Sequence, residues 1–139
     1  MRAHDGFEVL EHTADVGVRA EASSLQECFR QMTLGLLEIS GTYRPNNGDK
    51  RDISVEADDL GALLVYWLEE VLYIQDSADA LVTDVTVNEV GTDAAVGSVS
   101  ITPRGTEVLE GTAVKAITYH QLSVVRTEEG WAATVFFDI

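Results

Sequence analysis

The stretch DVGVRAEASSLQECF, from Asp15 to Phe29, contains the change of periodicity that decides the fold. Its first half alternates apolar and polar side chains, as a strand with one buried face requires. Ser24, followed three residues later by Glu27, matches a capping box, the pattern at which helices begin. An apolar stripe at helical spacing follows, comprising Leu25, Cys28, Phe29, Met32, Leu36 and Leu37. The pattern therefore predicts a strand and then a helix that ends near Ile39, just before Gly41.

The same two periodicities place the remaining elements. A second helix is predicted from Asp58 or Asp59 to about Asp76, with Trp67 on its apolar stripe. The other predicted strands are Phe7 to Glu11, Asp52 to Ala57, Leu81 to Val90, Ala94 to Pro103, Val114 to Arg126 and Trp131 to Asp138. Helices and strands do not alternate strictly, so we expect an α+β fold: a largely antiparallel β-sheet sandwich in which two main helices cover one side. A length of 139 residues predicts a single domain over residues 1–139.

The charge balance restricts the partners of the protein. The chain has 24 Asp and Glu residues against 9 Lys and Arg, which gives a formal net charge of −15. Such a surface repels phosphate backbones, so tight direct binding to nucleic acid is not expected, and anionic membranes are poor partners for the same reason. The charge leaves open a basic protein partner, a cation or simply a strongly solvated surface. A halophilic source would produce the same acidity without any functional meaning.

Cysteine content and hydropathy indicate a soluble cytoplasmic protein. Cys28 is the only cysteine, so no internal disulfide can form, and no Cys/His set has the spacing of structural zinc. Cys28 lies on the apolar stripe of the first helix, which favours a packing role over a reactive thiol. No apolar run approaches the roughly 20 residues that a membrane span needs, and the N-terminus lacks the apolar region of a signal peptide.

Two short segments carry carboxylates at the ends of predicted strands. His12-Thr13-Ala14-Asp15 links two strands, where Asp15 could coordinate a cation, act as a base or cap a turn; the spacing alone favours the turn cap. The segment Phe136-Phe137-Asp138-Ile139 ends an apolar strand in an acid followed by the α-carboxylate of the chain. Adjacent negative groups must be hydrated, spread apart or bridged by a cation. A frayed, solvated end is the alternative, but the flanking aromatic residues favour a strand anchored in the core.

A third segment contains Lys115, one of only two lysines. The pattern places Lys115 on a strand, and the residues on the opposite face are Val114, Ala116, Thr118 and Leu122. Its ammonium group could pair with clustered carboxylates or could simply be solvated, and the residue type alone does not decide between them. His120, five residues further on, is interpreted as a satisfied core histidine rather than a ligand or a base.

Four blocks of this sequence together resemble the archease family over nearly the whole chain. They are HTADVGVRA at residues 12–20, ADDL leading into LLVYWLEEVLY at residues 57–73, VKAITYHQL at residues 114–122 and FDI at residues 137–139. Each block alone would be weak, but their order and spacing make the resemblance specific. Gln121 and the Glu69-Glu70 pair depart from the family pattern, and neither belongs to the segments that carry the candidate site.

The resemblance implies a function that composition could not have shown. Archeases are small cytoplasmic accessory proteins of the RtcB-type tRNA-splicing RNA ligase, which promote its guanylylation and allow multiple turnover. The implied fold is an α+β sandwich with a metal-binding cluster, which falls here on Asp15, Asp138 and Ile139, with His12 adjacent and Lys115 as a further candidate. An all-oxygen, anionic donor set suits a hard divalent cation and not zinc. We therefore expect Ca²⁺, with Mg²⁺ or Mn²⁺ as alternatives.

These considerations leave three hypotheses about function. The leading one is a non-enzymatic activator of an RNA ligase, with a bound divalent cation. The second is a general chaperone or modulator of RNA-processing enzymes. The third, a small metal-dependent hydrolase that uses Asp15 and Asp138, is disfavoured because the sequence shows no nucleophile, oxyanion donor or second general acid arranged for a reaction.

Overall fold

The computed structural model describes residues 5–11, 15–45, 48–77, 79–105 and 109–139. Within these residues the chain forms strands and helices in the order ββαβαβββββ. The elements are β1 (Gly6–Glu11), β2 (Asp15–Ala22), α1 (Leu25–Ser40), β3 (Asp49–Glu56), α2 (Leu60–Ser77), β4 (Ala80–Val90), β5 (Ala94–Pro103), β6 (Ala116–Ile117), β7 (Ser123–Thr127) and β8 (Gly130–Asp138).

The strands form two antiparallel sheets. The larger sheet has the order β1-β2-β8-β6, with β7 also pairing with β8, and the smaller sheet has the order β3-β5-β4. This architecture confirms the predicted α+β class. The strands are divided between two sheets, and each helix contacts both: α1 contacts β2 and β4, while α2 contacts β3 and β6. Both helices therefore share one apolar core with both sheets.

The first helix begins and ends where the sequence predicts. The Ser24 side-chain oxygen accepts a hydrogen bond from the Glu27 backbone N–H at 3.1 Å, which satisfies one of the free donors at the helix start. Gly41 follows the last turn in the left-handed conformation, with φ of 73°, and its N–H donates to the carbonyl of Glu38. A residue without a β-carbon adopts this conformation at little cost, which explains why the helix stops there.

The second helix is apolar on more than one side because it packs against both sheets. The side chains with no exposed surface on this helix are Leu63, Leu64, Val65, Trp67, Leu68 and Val71. The indole N–H of Trp67 donates to the Thr33 hydroxyl at 3.0 Å, and this hydroxyl donates to the Phe29 carbonyl at 2.7 Å. The predicted core position of Trp67 is confirmed. Neither described helix combines the length and the hydropathy needed to cross a membrane.

Two predicted strand boundaries are wrong. β3 begins at Asp49, three residues before the predicted start at Asp52. The predicted strand from Val114 to Arg126 is interrupted between β6 and β7, because Gln121 has a φ of 51° and the N–H of Leu122 donates to the Tyr119 carbonyl in a turn. Parts of this predicted strand do form strands, β6 and β7, and both of them pair with β8.

The single cysteine has the properties of a packing residue. Cys28 is fully buried, and burial, followed by the negative charges of Glu21 and Glu27, raises the pKa of its thiol to about 12. We therefore expect no alkylation of the native protein by iodoacetamide at pH 8, because the thiolate is the reactive form. Mass spectrometry should show complete labelling of the same protein in urea. Equal labelling rates in the native and unfolded states would contradict this prediction.

Candidate functional site

Asp15 and Asp138 stand directly opposite each other at one end of the larger sheet. Asp15 begins β2 and Asp138 ends β8, and the antiparallel register of these strands pairs the two residues. Directly opposed residues of antiparallel strands project from the same face, so the two carboxylates share one side of the sheet. Their neighbours Val16 and Phe137 are buried. Asp15 is half-buried and Asp138 is exposed, which leaves the pair accessible from solvent.

Phe136 lies beside this carboxylate pair on the same face of the sheet. It stands opposite Gly17, and a β-carbon at Gly17 would lie only 2.8 Å from the Phe136 ring. The ring therefore occupies space that only a glycine at position 17 leaves free. Phe136 is 2% exposed, although it projects from the same face of the sheet as the carboxylates. His120 packs its ring edge-on against Phe136, with 5.7 Å between ring centroids. A glycine in a strand pattern signals such a close approach, and our sequence interpretation did not use it.

His120 itself is exposed, so its interpretation as a core histidine is wrong. The turn after β6 carries it out of the core. The Thr118 hydroxyl holds this turn, because it donates to the Phe136 carbonyl at 3.0 Å and accepts from the His120 backbone N–H at 3.2 Å. Within the described part of the chain, the His120 side chain contacts the sheet through the Phe136 ring.

The structure places Lys115 next to the carboxylate pair through its backbone. Its N–H donates to the Asp138 carbonyl at 2.8 Å, and Ala116 pairs with Asp138 in the sheet. Lys115 precedes β6 rather than lying within a strand; Val114 and Ile117 near it are buried, and Ala116 is half-buried. The Lys115 side chain is exposed, and none of the described acids forms an ion pair with it.

The donors near Asp15 and Asp138 suit a hard cation that keeps other ligands. Within the described ranges no group of three or more His, Cys, Asp and Glu side chains is arranged to hold a metal. The predicted set is thus two opposed carboxylates and a main-chain oxygen of Ile139; His12 lies outside the described residues. Ca²⁺ takes about 6–8 oxygen ligands, and Mg²⁺ is commonly held by one or two carboxylates with several waters. The oxygen-only chemistry fits either ion, provided that water or a partner completes the shell.

The fold and the site together define a class of protein: small α+β proteins with acidic residues at one end of a β-sheet. A profile of the Archease protein family (MTH1598/TM1083) matches residues 7–139 of the chain. Protein archease of Methanosarcina acetivorans is 31% identical over 139 aligned residues, covering 96% of this chain and 95% of the relative. Protein archease of Saccharolobus islandicus strain M.14.25 is 38% identical over 143 aligned residues, covering 96% and 98%. The chain belongs to the archease family.

Two solved structures have the same fold. The solution structure of Methanobacterium thermoautotrophicum protein 1598 superposes with a TM-score of 0.78 at 24% identity, covering 96% of this chain and 99% of that one. The crystal structure of a Thermotoga maritima archease, described as a possible chaperone, gives a TM-score of 0.67 at 21% identity, covering 99% and 100%. At these identities the two structures support the shared fold only.

Proposed function

We propose that this chain is a non-catalytic accessory protein that activates an RtcB-type tRNA-splicing RNA ligase in the cytoplasm. On this proposal it promotes guanylylation of the ligase and allows the ligase multiple turnover. The observation that carries the proposal is the directly opposed pair of Asp15 and Asp138 at an accessible sheet end, in a chain that belongs to the archease family. The net charge of −15 favours contact with a protein over direct binding to RNA.

A divalent cation at this sheet end is part of the proposal. Asp15, Asp138 and the main-chain oxygen of Ile139 would hold Ca²⁺, or Mg²⁺ or Mn²⁺, and His12 is a further candidate contact. A bound cation would supply positive charge for phosphate oxygens of the ligase's nucleotide. The two carboxylates share one face of the sheet and Asp138 is exposed, so a cation held between them would be open to solvent. Lys115 is a further candidate functional residue, because its backbone N–H donates to the Asp138 carbonyl.

The test is a multiple-turnover RNA-ligation assay with an RtcB-type ligase at several concentrations of divalent cation. We expect that adding this protein at or below the ligase concentration increases the number of products formed per ligase molecule. It should also increase the fraction of ligase that carries the guanylyl group. A matched reaction with heat-denatured protein controls for added metal and protein. Identical turnover with and without the native protein would refute the proposal.

A general chaperone or modulator of RNA-processing enzymes is the second candidate; the Thermotoga maritima archease of the same fold is described as a possible chaperone. The two candidates differ in their clients. A chaperone should suppress the thermal aggregation of unrelated proteins, whereas the activator should change ligase turnover without that effect. A metal-dependent hydrolase, the least favoured candidate, would release product from model esters or phosphates without any ligase present.

A further inference from the structure

Two tyrosines and two acids form an exposed surface where α2 meets the turn after β6. Tyr66 is 42% exposed and Tyr119 is 56% exposed. The helix contacts β6, and Tyr66, Glu69 and Asp59 all lie close enough to Tyr119 to act on it electrostatically. Partial desolvation, Tyr66 and these two acids all raise the pKa of Tyr119 above its usual value, so its phenol stays neutral. We call these four residues the Tyr119 surface.

Nothing basic balances the acids of this part of the chain. From Asp58 to Ser77 the sequence contains five acidic residues and neither lysine nor arginine. The acidic residues are Asp58, Asp59, Glu69, Glu70 and Asp76. The carboxylate of Asp59 also accepts a hydrogen bond from the Ala62 N–H, which caps the helix, whereas Glu69 is exposed. The helix therefore contributes only acidic charge beside the two phenol rings.

The Tyr119 surface is attached to the candidate site by a short segment of backbone. At one end of that segment the N–H of Lys115 donates to the Asp138 carbonyl at 2.8 Å. At its other end Thr118, next to Tyr119, donates through both its N–H and its hydroxyl to the Phe136 carbonyl at 3.0 Å. A partner that covers the carboxylate pair of Asp15 and Asp138 is thus brought within reach of the tyrosines.

Paired tyrosines beside carboxylates are suited to bind arginine and lysine. Tyrosine is enriched among the residues that dominate protein interfaces, and its ring attracts a cation placed over its face. A nucleic acid does not fit this negative surface, and a second copy of the chain would be repelled by its own charge.

We propose that the Tyr119 surface docks onto an arginine- and lysine-rich face of a partner protein and so positions the Asp15–Asp138 end of the sheet against that partner. The identity of the partner rests on the proposed function: it is the RNA ligase, whose RNA-binding face must be basic to contact phosphates. The surface is thus an anchor, separate from the carboxylates that would hold the cation.

The first test removes both rings with the double substitution Tyr66→Ala and Tyr119→Ala. We expect the dissociation constant for purified ligase, measured by biolayer interferometry, to rise by at least about tenfold, as for central aromatic residues of interfaces. Maximal ligase activation at saturating protein should remain, because the carboxylate pair is untouched. The control Val96→Ala truncates a side chain that is 44% exposed on β5 of the other sheet, and it should bind as the wild type does.

The second test separates local contact from overall charge. Glu69→Lys and Glu89→Lys change the net charge equally, and both glutamates are exposed, but Glu89 lies on β4 of the other sheet. Glu69→Lys should weaken binding by at least about tenfold and flatten its salt dependence, whereas Glu89→Lys should have a much smaller effect. Circular dichroism melting curves of all variants exclude unfolding as the cause.

The outcomes distinguish the docking inference from the proposed function. If the wild-type protein neither binds nor activates the ligase, the proposed function fails and its partner with it. If the wild type activates and the double tyrosine variant binds with unchanged affinity, the docking inference alone is overturned. Equal losses for Glu69→Lys and Glu89→Lys would also overturn it, because they would indicate attraction by net charge without a defined surface.

Discussion

Replacing Asp15 or Asp138 with asparagine is expected to abolish activation of the ligase while the fold stays intact. Asparagine keeps the size of the side chain but removes the charge that a hard cation requires. Loss of a residue that merely orients a metal ligand costs about 10–100-fold in metal affinity, so loss of a ligand should cost at least as much. Multiple-turnover ligation with each variant, over a range of Ca²⁺ and Mg²⁺ concentrations, measures the effect.

Thermal unfolding gives an independent readout of the same pair. Like charges directly opposite across two strands destabilise a sheet, so each asparagine variant should melt slightly higher than the wild type without divalent cation. Adding Ca²⁺ should raise the melting temperature of the wild type and leave the variants nearly unchanged. Asp52→Asn, an exposed substitution on β3 of the other sheet, is the matched control. A variant that activates normally and still responds to Ca²⁺ would contradict the proposed site.

Trp67→Ala should lower the free energy of unfolding by about 3–5 kcal/mol, as removal of a buried large aromatic side chain does. The indole has no exposed surface, and its N–H donates a hydrogen bond to the Thr33 hydroxyl. The substitution therefore leaves a cavity and removes a contact between the two helices. A loss of this size is a large part of the roughly 5–15 kcal/mol that stabilises a typical domain.

Urea denaturation followed by far-UV circular dichroism measures this loss. Tyr73→Ala is the matched control, because Tyr73 is an aromatic residue of the same helix that is 64% exposed. Its truncation should change stability by no more than about 0.5 kcal/mol. If both variants unfolded at the same urea concentration, Trp67 would not have the central role in the core that its burial indicates.

Local signals made the helices predictable from sequence. Ser24 caps α1 through a contact only three residues away, and Gly41 ends the helix by its own backbone conformation. Both positions could be assigned without knowing the rest of the fold. The carboxylate pair was half-predictable in the same sense: strand ends at Asp15 and Asp138 could be recognised, and neighbouring strands could be expected to bring them close.

Register and strand breaks were not predictable, because they depend on distant partners. Nothing near Gln121 in sequence indicates that β8 pairs with two short strands and leaves a turn between them. That turn carries His120 out of the core, where residue type alone favoured burial. The division into two sheets is equally non-local, since it depends on which strands of the folded chain find each other as neighbours.

The pairing of β2 with β8 has a consequence for when the candidate site comes into existence. It joins Asp15, near the beginning of the sequence, to Asp138, near its end, so this contact has a very high contact order. Closing so long a loop costs more chain entropy than a local contact does, and the carboxylates stand opposite each other only where β2 and β8 are paired. Any ion that bridges them binds the native state alone and stabilises it by mass action. Slow amide hydrogen exchange along β8 would therefore report readiness of the site as well as integrity of the fold.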